Sequence, residues 1–477
     1  MKEDETDLAK LAMRALSEAR MTDAVRHFRE IVRLIPDSGA NWFNLGFALR
    51  GARDFDGALT AYARSIEFDD RPEGALVNRA VILKDDLGRM DEAEAELRRA
   101  IELAPRFVPA LFNLGLLHEV VGRREEARAN YREVVAIDPL HAQAHARLAA
   151  LEEDPQRGIA HVVGVLRTGR FSQEDAADLE FALANALDRA GRYDEAFMVV
   201  TRANERKTKL RRPEFRYDPA AHERLIDALI AAFPTAPIVS PGRGDQRPVF
   251  ICGMFRSGST VTEQWLARHP QVVAAGELEM IPLFVRERLQ PYPKSVASLS
   301  EGSLRRLRAD YLKVLDRVAP DAPHVTDKRC DNFLHIGLIK TLFPDAVIVH
   351  TARDELDIAL STYFLDFAEP ISYSTSLPDI GHYLIQYRRL MAHWERVFGE
   401  SIVRVDYEAL VRDPQATLAP VFRALSLDPD QLDAAAAMGA IRTPSAWAAR
   451  KQLHGGSIGR WRNYAKHMGP VRQALGL

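Results

Sequence analysis

A glycine-rich loop in the second half of the chain has the composition expected of an anion-binding site. The loop, residues 253–260, reads GMFRSGST and lies between an apolar run, 249–252, and an amphipathic stretch, 261–268. Glycines allow the backbone to approach an anion closely, and the first amides of a helix and nearby hydroxyl groups donate hydrogen bonds to it. The loop therefore predicts a phosphate-binding site, and a turn that binds no ligand is the alternative interpretation.

The two glycines have the spacing of a nucleotide triphosphate loop, but the lysine of that motif is replaced. In G-x-x-x-x-G-K-[ST] the lysine contacts the β and γ phosphates, and Ser259 occupies its position here. The apolar run 346–349 leads into Thr351 and Arg353 rather than into a magnesium-binding aspartate. A nucleotide-dependent kinase is therefore the less favoured alternative.

The loop and the residues after it resemble the 5′-phosphosulfate loop of sulfotransferases. The matching residues are 256–260, the pair His269 and Pro270, and the pair Gly276 and Glu277. The resemblance extends over about residues 247–465 and includes the tyrosylprotein sulfotransferases and bacterial proteins that join tetratricopeptide repeats to such a domain. It implies 3′-phosphoadenosine 5′-phosphosulfate as donor, adenosine 3′,5′-bisphosphate as product, and no metal.

The resemblance implies a donor site that extends beyond the loop. Arg353 and Ser361, eight positions apart, match the family's 3′-phosphate pair, since an arginine offers two parallel donors and a serine adds a hydroxyl. A structural salt bridge of Arg353 with Asp354 or Asp357 is the alternative. The implied donor-binding residues are Arg256, Ser257, Gly258, Ser259, Thr260, Arg353, Ser361, Tyr407, Ser445 and Lys451.

Three of these matches come from the last part of the chain. Tyr407 matches a tyrosine near the nucleotide, and Ser445 and Lys451 stand sixteen and ten positions before Trp461, as in the tyrosylprotein enzymes. Leu365 stands where those enzymes carry an arginine, four residues after the serine of the 3′-phosphate pair. We therefore expect the 3′-phosphate site of this chain to lack one arginine that the tyrosylprotein enzymes have.

The transfer step needs a base for the acceptor hydroxyl and cations beside the departing phosphate oxygen. By resemblance, Lys328 and Arg256 neutralise the leaving nucleotide. Glu277, directly after Gly276, is the preferred base and Glu279 is the reserve. A carboxylate that only complements a helix dipole is the alternative interpretation for both glutamates.

An internal repeat dominates the first part of the chain. An alanine and, four residues later, an aromatic or leucine recur at spacings of 34, 35 and 34 residues. The pairs are Ala24/Phe28, Ala58/Tyr62, Ala93/Leu97 and Ala127/Tyr131. Pro36, Pro105 and Pro139 stand where the second helix of a repeat ends. These features resemble the tetratricopeptide repeat over about residues 8–150, with a degenerate copy at 191–196.

The elements that position the loop are expected to form a separate domain. Short apolar runs alternate with longer amphipathic stretches after residue 248, which predicts an α/β domain with a central parallel sheet. We predict an all-α tetratricopeptide-repeat superhelix at 1–205, connecting helices and a Pro/Gly linker at 206–247, and a P-loop-like sulfotransferase domain at 248–477.

Composition excludes several classes of function. Apolar residues make up 47% and charged residues 27% of the chain, and the net charge of -3 argues against general nucleic-acid binding. With only Cys252 and Cys330 and no apolar stretch of membrane-spanning length, we expect a cytoplasmic protein without a membrane span. After Asp433 the chain carries no acidic residue, which suits an anionic ligand.

The leading hypothesis is therefore a sulfotransferase that acts on an acceptor hydroxyl, either of a protein tyrosine or of another molecule. The repeats would bind protein partners, by recruiting a protein acceptor or by forming a homodimer. The alternative from a different class is a repeat scaffold whose second domain binds a nucleotide without turnover.

Overall fold

The computed structural model describes residues 2–236, 247–367, 371–433 and 455–477. The chain forms two compact units, Met1–Leu151 and Glu152–Leu477. The helices between residues 155 and 210 lie in the second unit, although the sequence assigned residues up to 205 to the repeat domain. The predicted limits at residues 205 and 247 stay predictions.

The first unit is built from consecutive helices that pack against each other in sequence order. A short π-helix, Ile82–Asp86, extends the fifth helix. The helices of this unit are Lys2–Ser17, Met21–Leu34, Gly39–Gly51, Phe55–Phe68, Glu73–Val81, Met90–Leu103, Val108–Val121, Arg124–Ile137 and Ala142–Leu151.

The repeated side chains form the core of the first unit. Phe28, Tyr62, Leu97 and Tyr131 are all buried, each on the second helix of a pair. A methyl group at Gly115 would lie 2.6 Å from the Tyr131 ring, so the glycine allows the two helices to approach. The predicted tetratricopeptide-repeat architecture is confirmed, and the helices end two residues before each of the three prolines.

The second unit begins with helices and continues as an α/β domain. Short 3-10 helices at Cys330–His335 and Arg460–His467 carry residues of the candidate site. The α-helices of this unit are Pro155–Leu166, Gln173–Arg189, Tyr193–Leu210, Pro219–Ala232, Ser259–Leu266, Met280–Glu287, Glu301–Val318, Ile336–Leu342, Glu355–Tyr363, Leu377–Phe398, Tyr407–Arg412, Pro414–Ala424 and Gly469–Leu475.

Within the described residues, five parallel strands form one sheet, and when they are numbered along the chain their order across the sheet is 2-3-1-4-5. The strands are β1 Pro248–Gly253, β2 Val272–Ala274, β3 His324–Lys328, β4 Ile348–Ala352 and β5 Ile402–Asp406. After β1 the chain builds one side of the sheet and then crosses to the other, so the crevice at the carboxyl end of β1 is a topological switch point. The predicted parallel α/β fold is confirmed.

Helices cover both faces of the sheet, as a parallel sheet requires. Val249 and Ile251 of β1 pack in one cluster with Phe422 of the helix Pro414–Ala424. On the opposite face, the Phe250 ring lies 5.6 Å from the Tyr311 ring and contacts Phe343. Because all the strand pairs are parallel, the carboxyl ends of the strands lie at one edge of the sheet.

Candidate functional site

The glycines of the loop allow close approaches that a side chain would prevent. Gly258 precedes the helix Ser259–Leu266 with a φ of 100°, and a Cβ there would lie 2.5 Å from the Tyr407 ring. A Cβ at Gly253 would lie 2.4 Å from the carbonyl oxygen of Thr351. The loop therefore sits directly against the ends of β4 and β5.

Hydrogen bonds of hydroxyl groups connect the loop to the neighbouring strands. Thr351 donates from Oγ1 to the Cys252 carbonyl at 3.1 Å, so the 2.7 Å contact between Ser257 and Thr351 has Ser257 as its donor. The Ser259 hydroxyl lies 3.3 Å from the sulfur of Cys330. Thr260 is buried at the start of the helix.

Arg256 connects the loop to the residues predicted for the 3′-phosphate. Its Nε donates to the Ser361 hydroxyl at 2.8 Å, and its carbonyl oxygen accepts from Nη1 of Arg353 at 3.1 Å. Burial, together with the guanidinium groups of Arg353 and Arg460, lowers the pKa of Arg256 to about 10. The tertiary structure therefore gathers three cations where an anion would relieve their repulsion.

Arg353 is held by neighbours on three sides. Its guanidinium lies 4.8 Å from the centre of the Tyr407 ring, and Nη2 donates to the Ser457 carbonyl oxygen. Nη2 is 3.9 Å from Asp357, at the outer limit of the salt bridge that the sequence left as an alternative. The Nε of Arg353 is buried without a hydrogen-bond partner in the described part of the chain.

The segment 455–467 closes this side of the site. The Tyr407 hydroxyl lies 2.9 Å from the Ser457 hydroxyl, and Asp357 accepts from the amides of Gly459 at 2.5 Å and Trp461 at 2.9 Å. The predicted donor residues Ser445 and Lys451 lie outside the described residues.

Lys328, at the end of β3, is buried and donates to the carboxylate of Glu277. Burial alone would lower the pKa of Lys328, but the carboxylates of Glu277 and Glu263 raise it above its usual value. The Glu277 side chain is 47% exposed, which leaves it accessible to an incoming hydroxyl.

The reserve base has a different environment. Glu279 accepts from Arg329, which also donates to Asp331 at 2.9 Å. The two glutamates therefore belong to separate ion pairs, and Glu277 is the one joined to the candidate cation Lys328.

Sequence reasoning missed Ser457 and Glu263 as residues that organise the site, and it named Asp357 only as a salt-bridge partner of Arg353. Asp357 and Ser457 hold the closing segment and Arg353, and Glu263 is a fully buried carboxylate behind the loop. The position of Glu263 was a usable signal, because residue i+4 of the helix that begins at Ser259 lies on the same face as its first residue.

Two negative findings hold for residues 2–236, 247–367, 371–433 and 455–477. No group of three or more histidine, cysteine, aspartate or glutamate side chains is placed to hold a metal ion there. Across the same residues, no helix combines the length and the apolar character needed to cross a membrane.

Comparisons with known proteins identify both parts of the chain. Residues 248–431 match the Sulfotransferase family, and residues 74–107 and 108–139 each match the Tetratricopeptide repeat. An uncharacterized protein of Aquifex aeolicus (strain VF5) is 30% identical over 431 residues, which are 85% of this chain and 55% of that protein. The chain thus spans about half the length of this curated relative.

Solved structures similar to this chain have low TM-scores. Pseudomonas aeruginosa PilF is 17% identical with a TM-score of 0.35, covering 42% of this chain and 90% of that chain. A thermophilic TPR protein of Thermus thermophilus is 19% identical with a TM-score of 0.31, covering 38% of this chain and 98% of that chain. The two family matches show that this chain combines tetratricopeptide repeats with a domain of the sulfotransferase family.

Proposed function

We propose that the chain is a sulfotransferase that uses 3′-phosphoadenosine 5′-phosphosulfate and transfers its sulfuryl group to an acceptor hydroxyl. One observation carries this proposal: Arg256 of the phosphate loop is hydrogen-bonded to both Arg353 and Ser361. A donor with phosphates at its 5′ and 3′ ends needs two anion sites at a fixed separation, and these bonds join the two candidate sites.

The residues of the crevice fit such a donor. The glycine loop and the helix that starts at Ser259 offer amides to the 5′ end. The buried Nε of Arg353 has no partner in the described chain and would donate to the 3′-phosphate beside Ser361. Tyr407 packs under the Arg353 guanidinium and keeps it in place. Ser445 and Lys451 stay proposed donor residues by resemblance.

The donor supplies an activated sulfuryl group, and the side chains supply the base and the cations. Glu277 takes the proton from the acceptor hydroxyl while the oxygen of that hydroxyl forms its bond to sulfur. Lys328 and Arg256 stabilise the negative charge that grows on the 5′-phosphate oxygen as its bond to sulfur breaks. The link between Lys328 and Glu277 favours Glu277 over Glu279 as the base, because the base for the incoming hydroxyl and the cation for the leaving oxygen must both lie close to the same sulfur atom.

The acceptor is proposed to be a hydroxyl group on a protein, such as a tyrosine. The repeats support this choice because tetratricopeptide arrays present extended binding surfaces to other proteins. In this proposal the repeats bind the acceptor protein or a second copy of the chain.

Nucleotide binding tests the donor. Thermal-shift titrations of the full chain should show stabilisation by adenosine 3′,5′-bisphosphate without metal, and little by ATP with magnesium. Equal stabilisation by ATP with magnesium would favour a kinase. Mass spectrometry of a lysate incubated with the chain and a labelled sulfate donor would detect sulfate transfer to proteins. Tight bisphosphate binding without such transfer would favour the scaffold.

A further inference from the structure

We infer that Asp188 is a positioning residue for the 3′-phosphate end of the donor site. It lies at the end of the helix Gln173–Arg189, sixty residues before the sulfotransferase match begins at residue 248. The inference rests on the proposed function and extends the donor site into the helical part of the chain.

Asp188 holds two side chains of the segment 455–467. Its carboxylate pairs with Arg460 through two contacts, at 3.0 and 3.2 Å, and accepts from the Tyr464 hydroxyl at 2.5 Å. The Asp188 side chain is 18% exposed and that of Arg460 is 20% exposed. Such partly buried, charge-assisted bonds are stronger than surface ion pairs.

The segment that Asp188 holds is the one that fixes Arg353. Arg460 stands between Gly459 and Trp461, whose amides both donate to Asp357. Three residues before Arg460, the Ser457 carbonyl accepts from Arg353. The segment is therefore anchored on one side by Asp188 and on the other by Asp357.

Arg460 also contributes charge to the site. Its guanidinium is near enough to Arg256 to lower the pKa of that residue. The Arg256 guanidinium donates to Ser361 of the 3′-phosphate pair. Asp188 therefore fixes a cation on that side of the site as well as the backbone that orients Arg353. Without Asp188, the segment keeps its Asp357 anchor but loses the three contacts that orient Arg460 and Tyr464.

Calorimetric binding of two nucleotides to the full chain tests this role. Adenosine 3′,5′-bisphosphate carries the 3′-phosphate that Arg353 would bind, and adenosine 5′-phosphate lacks it. In Asp188→Ala, bisphosphate affinity should fall about tenfold, the size of one charge-assisted bond, while 5′-phosphate affinity stays within about twofold. Asp188→Asn keeps one acceptor and should recover part of the loss.

Two further variants keep the result interpretable. Glu195→Ala is the matched control, because Glu195 pairs with Arg192 of its own chain segment and is exposed, so both affinities should be unchanged. If Asp188→Ala does not fold, Tyr464→Phe is the substitute. It removes only the hydroxyl that donates a hydrogen bond to Asp188, and it should lower bisphosphate affinity by about threefold.

The inference is wrong if Asp188→Ala weakens both nucleotides equally or neither of them. If the unmodified chain does not bind the bisphosphate at all, the proposed donor fails and the inference fails with it. The unmodified chain therefore separates the two failures.

Discussion

The buried carboxylate of Glu263 accepts a 3.0 Å hydrogen bond from the amide of Gly276, the residue directly before the candidate base Glu277. The same oxygen accepts from the Thr326 hydroxyl at 2.7 Å. Burial raises the pKa of Glu263, and the charge of Lys328 opposes part of that rise. One carboxylate thus links the helix after the loop, strand β3 and the turn that carries Glu277.

We expect Glu263→Ala to slow sulfate transfer more than it weakens donor binding. The amide of Gly276 would lose its hydrogen-bond acceptor, and Glu277 would then no longer be held near Lys328. Loss of a positioned base corresponds to about 100-fold in turnover, while bisphosphate affinity should stay within about threefold. Rapid-quench measurement of bisphosphate release would check this, and Glu263→Gln, which keeps an acceptor oxygen, should retain more activity. Equal losses in binding and turnover would contradict the assignment.

Arg353→Ala should mainly weaken donor binding, whereas Arg256→Ala and Lys328→Ala should mainly lower turnover. In the proposed mechanism Arg353, which Ser457 and Tyr407 hold, binds the 3′-phosphate, while Arg256 and Lys328 flank the leaving 5′-phosphate. Steady-state kinetics with the donor varied would give a raised KM for the first variant and a lowered kcat for the other two. If all three variants behave alike, this division of roles is wrong.

Gly258→Ala should lower the affinity for adenosine 3′,5′-bisphosphate by about tenfold or more. A Cβ there would lie 2.5 Å from the Tyr407 ring, and the φ of 100° is unfavourable for alanine. Gly302→Ala is the control, since a Cβ at Gly302 in the helix Glu301–Val318 lies no closer than 3.9 Å to its neighbours. Calorimetry on both variants, with circular dichroism to confirm folding, measures the difference. Unchanged binding in Gly258→Ala would show that the loop tolerates a side chain.

Asp327 should make the stability of the second unit fall as pH rises from about 4 to about 7. Burial raises the pKa of Asp327 to about 7, and Tyr311 donates to it at 2.8 Å. The folded state therefore keeps a proton that the unfolded chain releases above its usual pKa of 3.8. The slope contributed by this one group is up to about 1.4 kcal/mol per pH unit.

The Asp327→Asn variant isolates this contribution. Its free energy of unfolding, measured by urea denaturation at several pH values, should fall less steeply with pH than that of the unmodified chain. A pH dependence identical in the two proteins would contradict the raised pKa.

Strand β3 shows where apolar patterning is insufficient. The apolar runs at 249–252 and 346–349 indicated strands, and the structure has β1 over the first run and starts β4 at Ile348, within the second. His324–Lys328 reads as a polar segment, yet all five residues are buried. Thr326 and Asp327 are tolerated inside because Glu263 and Tyr311 satisfy them, and no local pattern contains those partners.

Local spacing determined the repeats and the loop. The separation of Ala127 and Tyr131 places both on one helix face, and the glycines of 253–260 allow a backbone that other residues avoid; both effects act within a few residues. The resemblance placed Arg256 and Arg353 in one donor site, but only the tertiary structure added Asp188 and Ser457 to them. These residues come from four separate segments, and their burial and charge pairing depend on how the chain crosses the sheet and returns, which no single segment encodes.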